Sequence, residues 1–145
     1  MIEVKVKKLV PEAVIPQKAR KGDAGFDLVA VSTMFEKRQY VYGTGLAFEI
    51  PDGYVGLVFP RSSVYKKDLI MSNCVGVIDS GYRGEIMARF NLAGRPDDSD
   101  GLPMYKKGER IAQMVIVKLP DVELVEADEL GQSERGEGGF GSTGV

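Results

Sequence analysis

The sequence holds no histidine, no tryptophan and a single cysteine, Cys74, among its 145 residues. Without histidine there is no imidazole general base, no imidazole metal ligand and no Ser-His-Asp triad. One cysteine allows neither a disulfide framework nor a thiolate zinc site, and Cys74 reads as a small buried hydrophobe. No apolar run approaches the roughly 20 residues that a membrane-spanning helix needs. The first residues, MIEVKVKKLV, alternate apolar and charged side chains instead of building a signal-peptide core, so a cytoplasmic protein is the expectation. A formal net charge of −2 argues against a general binder of nucleic acid or membrane surfaces. It leaves room for a small phosphate ligand gripped by a few arginines. Any hydrolytic chemistry must therefore come from carboxylates, hydroxyls, arginines or lysines, with or without a hard cation.

What is present points to strands. Val4 and Val6 alternate with Lys5 and Lys7, the pattern of a half-buried strand. FDLVAV (26–31), LAFEI (46–50), YVGLVF (54–59) and RIAQMVIVKL (110–119) read as further strands, and Pro51-Asp52-Gly53 as a turn. SNCVGVID (72–79) and EIMARFNL (85–92) flank the turn Ser80–Gly84 and are expected to pair as a hairpin. VELVEA (122–127) reads as a last strand, and the one helix, a short one, falls within SSVYKKDL (62–69). GRPDDSDGLP (94–103) is a polar loop. Many short strands with Gly/Pro turns and no crossover helices indicate one all-β domain, a sandwich, barrel or jelly roll. A core this modest makes oligomerisation a reasonable way to bury more surface.

Five segments could carry chemistry. In RGEGGFGSTGV (135–145), five of the ten residues from Arg135 to Gly144 are glycine, costly to order. Gly136, Gly138 and Gly141 match G-x-G-x-x-G, but no helix can follow, so a dinucleotide fingerprint fails. The segment is either a frayed tail or a phosphate cradle. In the second reading glycine N–H groups, Ser142, Thr143 and Arg135 meet phosphate while Phe140 offers a face to a planar base. In PRSS (60–63), Ser62 or Ser63 reads equally as an N-cap or, with Arg61, as part of an anion site. In GVIDSGYRGE (76–85), Asp79 ends an apolar strand. It is a turn aspartate or, in a chain without histidine, the group that orients an attacking water. Tyr82 lies within reach of whatever Asp79 touches, whereas Arg83 and Glu85 read as solvated charges. Gln113 interrupts an apolar strand and needs a partner, inside the fold or on a ligand. Asp27 in AGFDL (24–28) needs a donor, a cation or an arginine.

Taken in order, AGFDL, PRSS, GVIDSGYRG, GERIAQMVI and RGEGGFGSTG resemble the five motifs of the homotrimeric dUTPase family, over about residues 19 to 144. The resemblance implies a jelly-roll-like, distorted β-barrel over residues 1–134 and a flexible arm, 135–145, that closes over an active site. It implies a homotrimer hydrolysing dUTP to dUMP and pyrophosphate with Mg²⁺, each site drawing on three subunits. By matching position, Asp79 would orient water and contact the 3′-hydroxyl, and Tyr82 would pack under the sugar against a ribose 2′-hydroxyl. Asn73 and the backbone near Val77, Ile78 and Met87 would line the uracil pocket. Arg61, Ser62, Ser63 and Gln113 would hold phosphates from a second subunit, and Asp27 would support the metal through water. From a third subunit, Arg135 would grip the γ-phosphate, Phe140 would stack on uracil, and Gly141, Ser142 and Thr143 would close over the triphosphate.

The related dCTP deaminases need a glutamate base in G-[FW]-x-G-x-x-x-x-E. Here the pattern runs Gly81, Tyr82, Arg83, Gly84 and ends at Arg89, and a guanidinium cannot take that proton. A protein partner is not indicated by the motifs; if there is one, loop 94–103 is where it would act.

Overall fold

Alternating apolar residues decide which strands can share a core. The computed structural model describes residues 2–93 and 104–139. Ten strands run in chain order: β1 (Lys5–Lys8), β2 (Phe26–Val29), β3 (Ser32–Glu36), β4 (Gln39–Gly43), β5 (Leu46–Glu49), β6 (Tyr54–Pro60), β7 (Leu69–Met71), β8 (Gly76–Ile78), β9 (Met87–Leu92) and β10 (Arg110–Lys118). A six-residue 3₁₀ helix, Ser62–Lys67, lies between β6 and β7, where the sequence predicts the one short helix. The strands form three antiparallel sheets: the pair β1-β5, a sheet ordered β2-β10-β6-β8, and a sheet ordered β3-β4-β9-β7. The fold is all-β, as the pattern of short strands predicts.

The inner faces of the sheets supply one core. Leu28, Ala112 and Met114 face Tyr42, Ala88 and Phe90, with Leu46, Phe48, Ile50, Val58, Ile86 and Ile111 between them. Tyr42 sits edge-on to Phe90 and Tyr105 at 5.8 and 5.6 Å between ring centres. Its phenol oxygen accepts the Tyr105 N–H at 3.0 Å, which satisfies a polar atom deep in the interior. Burial still pushes both phenols upward in pKa.

Two crossings tie the sheets together. Ala30 and Val31 carry the chain from β2 to β3, bonded to Glu109 O at 3.0 Å and Gly43 O at 2.8 Å. The second crossing overturns the expected hairpin. β8 pairs with β6, whereas β9 pairs with β4 and β7, so the turn after Asp79 hands the chain from one sheet to the other. Ile86, at its end, is pinned by Thr44: the buried Thr44 hydroxyl donates to Ile86 O at 2.7 Å, and Ile86 N donates to Leu46 O at 2.8 Å. Gly45 makes this bend possible. Its φ is +64°, and a Cβ there would stand 2.5 Å from Val10 Cγ2, so only glycine fits.

Two other expectations are corrected, and one hairpin appears that the sequence did not announce. The segment 122–127 is not a strand: Val122, Leu124 and Val125 are exposed by 66, 94 and 77%, because a strand needs a partner edge and the described residues supply none there. The turn of the β3–β4 hairpin has no Gly or Asn; Lys37 and Arg38 both take positive φ, 50° and 66°, the conformation of a tight two-residue hairpin turn. Cys74 is exposed. It occupies the apex of a tight turn at φ 58°, where Val75 N donates to Asn73 O at 2.5 Å, and an apex side chain points out of the fold.

Candidate functional site

Most of the predicted residues that the structure describes gather in two separate pockets. The first has a cavity of about 330 Å³ lined by Asn73, Val77, Ile78, Asp79, Tyr82 and Met87, together with Ser72, Glu85, Ile86 and Arg89. Its walls come from two sheets. Val77 and Ile78 belong to β8, the edge strand paired with β6, whereas Met87 and Arg89 lie on β9 of the other sheet. Asp79 follows directly on β8, exposed, and its carbonyl accepts the Tyr82 N–H at 3.1 Å in the crossing turn. The Tyr82 hydroxyl donates to Glu85 O at 3.1 Å. The ring lies over Gly84, where an added Cβ would come within 2.5 Å of Tyr82 Cζ. The missing side chain is therefore what seats the ring. Ser72 N donates to Arg89 O at 2.9 Å, which brings Asn73 alongside β9.

Glu85 is not the solvated charge that the sequence suggests. It is half-buried and accepts the Gly45 N–H at 2.7 Å, locking the pocket floor to the β4–β5 bend. Arg83 is exposed as expected, donating to the nearby carbonyls of Ser80 and Tyr82. Arg89 lines the pocket at the position where a deaminase base would stand, so the pocket offers a cation there and no general base.

The second pocket, about 310 Å³, is lined by Ala19, Asp23, Ala24, Gly25, Asp27, Arg61, Ser62, Arg110 and Gln113. Asp27 on β2 stands opposite Gln113 on β10, which stands opposite Phe59 on β6. The Gln113 amide donates to Pro60 O at 3.2 Å, and its Oε1 lies where a Cβ on Gly25 would be, 2.6 Å away. The amide is thus satisfied by the fold on one side and faces the pocket on the other. Asp27 accepts Arg61 Nε at 2.7 Å and Arg110 NH1 at 2.9 Å. Ser62 and Ser63 lie inside the 3₁₀ helix and neither caps it; the N-cap position is Arg61, without a side-chain cap bond. Arg61 NH1 instead reaches Ser63 Oγ at 3.4 Å. Arg110 is the residue that sequence reasoning missed, since in GERIAQ it reads as the charge that opens a strand.

The two pockets do not merge. β2 and β8 are opposite edges of the same four-stranded sheet, three strand spacings or about 14 Å apart. Arg135, the remaining described candidate, lies far along the exposed segment that follows β10, in a tight local turn where its Nε donates to Gly138 O at 2.8 Å. Phe140, Gly141, Ser142 and Thr143 fall outside the described residues, as does loop 94–103.

A divalent cation has few protein ligands to draw on. Among the described residues no group of three or more acidic, His or Cys side chains could hold a metal. Both oxygens of Asp27 are engaged by guanidinium groups. The donor set suits an ion that keeps its waters and takes most of its shell from phosphate, as Mg²⁺ does. No helix among the described residues is long and apolar enough to cross a membrane.

Comparison with known proteins gives one answer. The family model for dUTPase matches residues 11–144. The deoxyuridine 5′-triphosphate nucleotidohydrolase of Hydrogenobaculum sp. (strain Y04AAS1) is 44% identical over 97% of this chain and 96% of its own length. That of Nautilia profundicola is 43% identical over 99% of both. Among solved structures, the Staphylococcus bacteriophage 80alpha dUTPase with dUPNHPP superposes with a TM-score of 0.85, at 34% identity and 100% coverage of both chains. A mutant dUTPase from phage phi11 of S. aureus, described for its coordination of a structural Mg(II) ion, gives a TM-score of 0.75 at 28% identity, over 90% of this chain and all of that one.

Proposed function

From the premise that the chain belongs to the dUTPase family, we propose how its two pockets divide the hydrolysis of dUTP. The protein converts dUTP to dUMP and pyrophosphate, which limits uracil incorporation into DNA and supplies dUMP for thymidylate synthesis. The observation that carries the division of labour is the separation of the pockets within one chain. One has an exposed carboxylate and an aromatic wall, the other two arginines and an amide.

In this reading the first pocket holds the nucleoside. Asn73 and the backbone of Val77, Ile78 and Met87 face uracil, and Tyr82 packs against the deoxyribose. Asp79 orients a water and takes its proton as the water oxygen bonds to the α-phosphorus. The bond from that phosphorus to the bridging oxygen breaks, and pyrophosphate leaves with the electron pair. No covalent enzyme intermediate is required; orientation and neutralised charge supply the catalysis. Arg61, Ser62, Ser63 and Gln113 of a second subunit hold the phosphates. The arm of a third brings Arg135 to the γ-phosphate, Phe140 to the uracil face, and Gly141, Ser142 and Thr143 over the triphosphate. Asp27 would hold Mg²⁺ indirectly, through a water, and the ion would add charge neutralisation at the phosphates.

A homotrimer is supported by the segment after β10. Leu119 N still bonds Gly53 O at 2.8 Å, but Val122, Leu124, Val125 and Leu130 are exposed. A neighbouring subunit would give VELVEA the partner edge it lacks. Residues 1–134 then form the catalytic body with its departing strand, and 135–145 the closing arm. A cytoplasmic location goes with a function in the nucleotide pool.

Pyrophosphate release measured with dUTP, dTTP, dCTP and UTP tests the substrate; dUTP should be strongly preferred, and turnover of dCTP or dTTP at the dUTP rate would defeat the reading. Subunit sharing is tested by co-refolding an Asp79→Asn chain with a chain truncated after Glu134. Each alone should be nearly inactive, and mixed trimers should recover activity. A monomer by sedimentation, or no recovery despite proven mixing, would remove the shared site.

A further inference from the structure

We infer that Asp27 and Arg110 complete a two-arginine clamp for the triphosphate, with Asp27 the positioning residue and Arg110 the second phosphate-binding cation beside Arg61. The inference rests on the dUTPase reading of the second pocket. It begins with an irregularity in β10. Along a regular strand, residues three apart face opposite sides of the sheet. Arg110 would then fall on the face of Ala112 and Met114, which are buried in the core. The pairing with β2 shifts between Arg110 and Ala112, so that Arg110 stands opposite Val29 while Gln113 stands opposite Asp27. The extra residue, Ile111, is itself wholly buried. A bulge of this kind re-aims a side chain. Here it swings Arg110 out of the core and onto the face that carries Asp27 and Gln113.

The geometry that results is economical in donors. Asp27 is mostly buried, its side chain 23% exposed, and it holds Arg61 through Nε and Arg110 through one terminal nitrogen. A guanidinium has more donors than these contacts use, so most of each fork still faces the pocket. Two like charges close together repel; the carboxylate between them fixes their spacing and orientation before any anion arrives. Arg61 is the more enclosed, at 25%, and Arg110 the more open, at 53%. The pair therefore presents one rigid and one adjustable cation. Asp23 also lines the pocket, but its carboxylate accepts the Arg20 backbone N–H at 2.8 Å. A chain of phosphates is the ligand that uses two forks at once.

The test separates this role from support of a metal. Binding of dUPNHPP is measured by calorimetry in EDTA and again with Mg²⁺, for the wild type, Arg110→Gln, Arg110→Lys, Asp27→Asn and the double variant. Without metal, Arg110→Gln should weaken binding about 10- to 100-fold, as expected for charge-assisted bonds to phosphate, and Arg110→Lys should restore part of it. Asp27→Asn should also weaken metal-free binding, and the double variant should lose much less than the product of the two, because the residues act as a unit. Melting temperatures monitor folding; if Arg110→Gln does not fold, Arg110→Lys, which keeps the charge and loses the fork, carries the test. Wild-type affinity in EDTA for Arg110→Gln, or for Asp27→Asn with a loss seen only in Mg²⁺, would overturn the clamp. Failure of the wild type to hydrolyse dUTP would instead strike the underlying functional reading.

Discussion

Replacing Gly84 by alanine should disturb selectivity from a residue that does not line the pocket. The added Cβ would stand 2.5 Å from Tyr82 Cζ and 3.0 Å from Cε2. Carbon atoms rest at about 3.5–4.0 Å, so the ring must move by roughly 1 Å. Gly84 has no positive φ, so alanine adds no backbone strain of its own. Tyr82 is 42% exposed and is tethered by one hydrogen bond to Glu85 O. Losing that tether costs about 0.5–1.5 kcal/mol at most, so the fold should survive with a small drop in Tm. In the reading proposed above, the wall that Tyr82 sets against the sugar loses its seat whichever way the ring swings. Discrimination by packing is worth about 1–3 kcal/mol, and the dUTP/UTP ratio of kcat/KM should fall by roughly 10-fold or more. The assay is steady-state pyrophosphate release with both nucleotides. In a Tyr82→Ala background, which should itself raise relative UTP hydrolysis, the ring is gone and Gly84→Ala should add almost nothing. An equal loss in both backgrounds, or an unchanged ratio in the single variant, would refute the argument.

Three further outcomes are expected. Asp79→Asn should lose at least about 100-fold in turnover, the low end of general-base effects, while dUPNHPP still binds by calorimetry; turnover within a few-fold of wild type would take Asp79 out of the mechanism. Truncation after Glu134 should leave the melting temperature unchanged and abolish most turnover, with Phe140→Ala milder, at about 1–3 kcal/mol of lost stacking; full activity of the truncated chain would exclude the arm. Glu109 has its carboxyl pKa lowered, first by the Lys106 N–H at 2.6 Å and also by Lys67. A lowered pKa stabilises the fold above the ordinary carboxylate value and is lost as pH falls through the folded one. Glu109→Gln should therefore cost no more than about 1 kcal/mol near pH 7, given its exposure, and the Tm gap to wild type should close below about pH 4. A gap that widens on acidification would reverse the sign.

Local pattern revealed most strands and hid their partners. β6 and β10 are long, apolar and bounded by turns, so their existence could be read residue by residue. The β3–β4 hairpin escaped because its turn, Lys37-Arg38, takes positive φ without the glycine or asparagine that usually signals it. The expected pairing of 72–79 with 85–92 failed for a different reason. Pairing is a choice among edges far apart in sequence, and β8 finds β6 while β9 finds β4 and β7. Motif order sufficed to name Asp79, Tyr82, Arg61 and Gln113. It gave no hint of Arg110, whose direction depends on a one-residue irregularity that no periodicity announces.

The crossing turn after Asp79 has a consequence for how such a protein drifts. Its pocket is a seam, with β8 on one side and β9 on the other, and the distance between the two lips is set by the layer of side chains packed between the sheets together with the bonds of Glu85 and Ile86 to the Thr44–Leu46 bend. Interiors transmit volume changes instead of absorbing them. A methylene gained or lost at Val58, fully buried, would open or narrow the slot without altering any residue that lines it. Substrate preference is thus inherited partly through the core, and a lineage that kept every motif letter could still wander in what it admits.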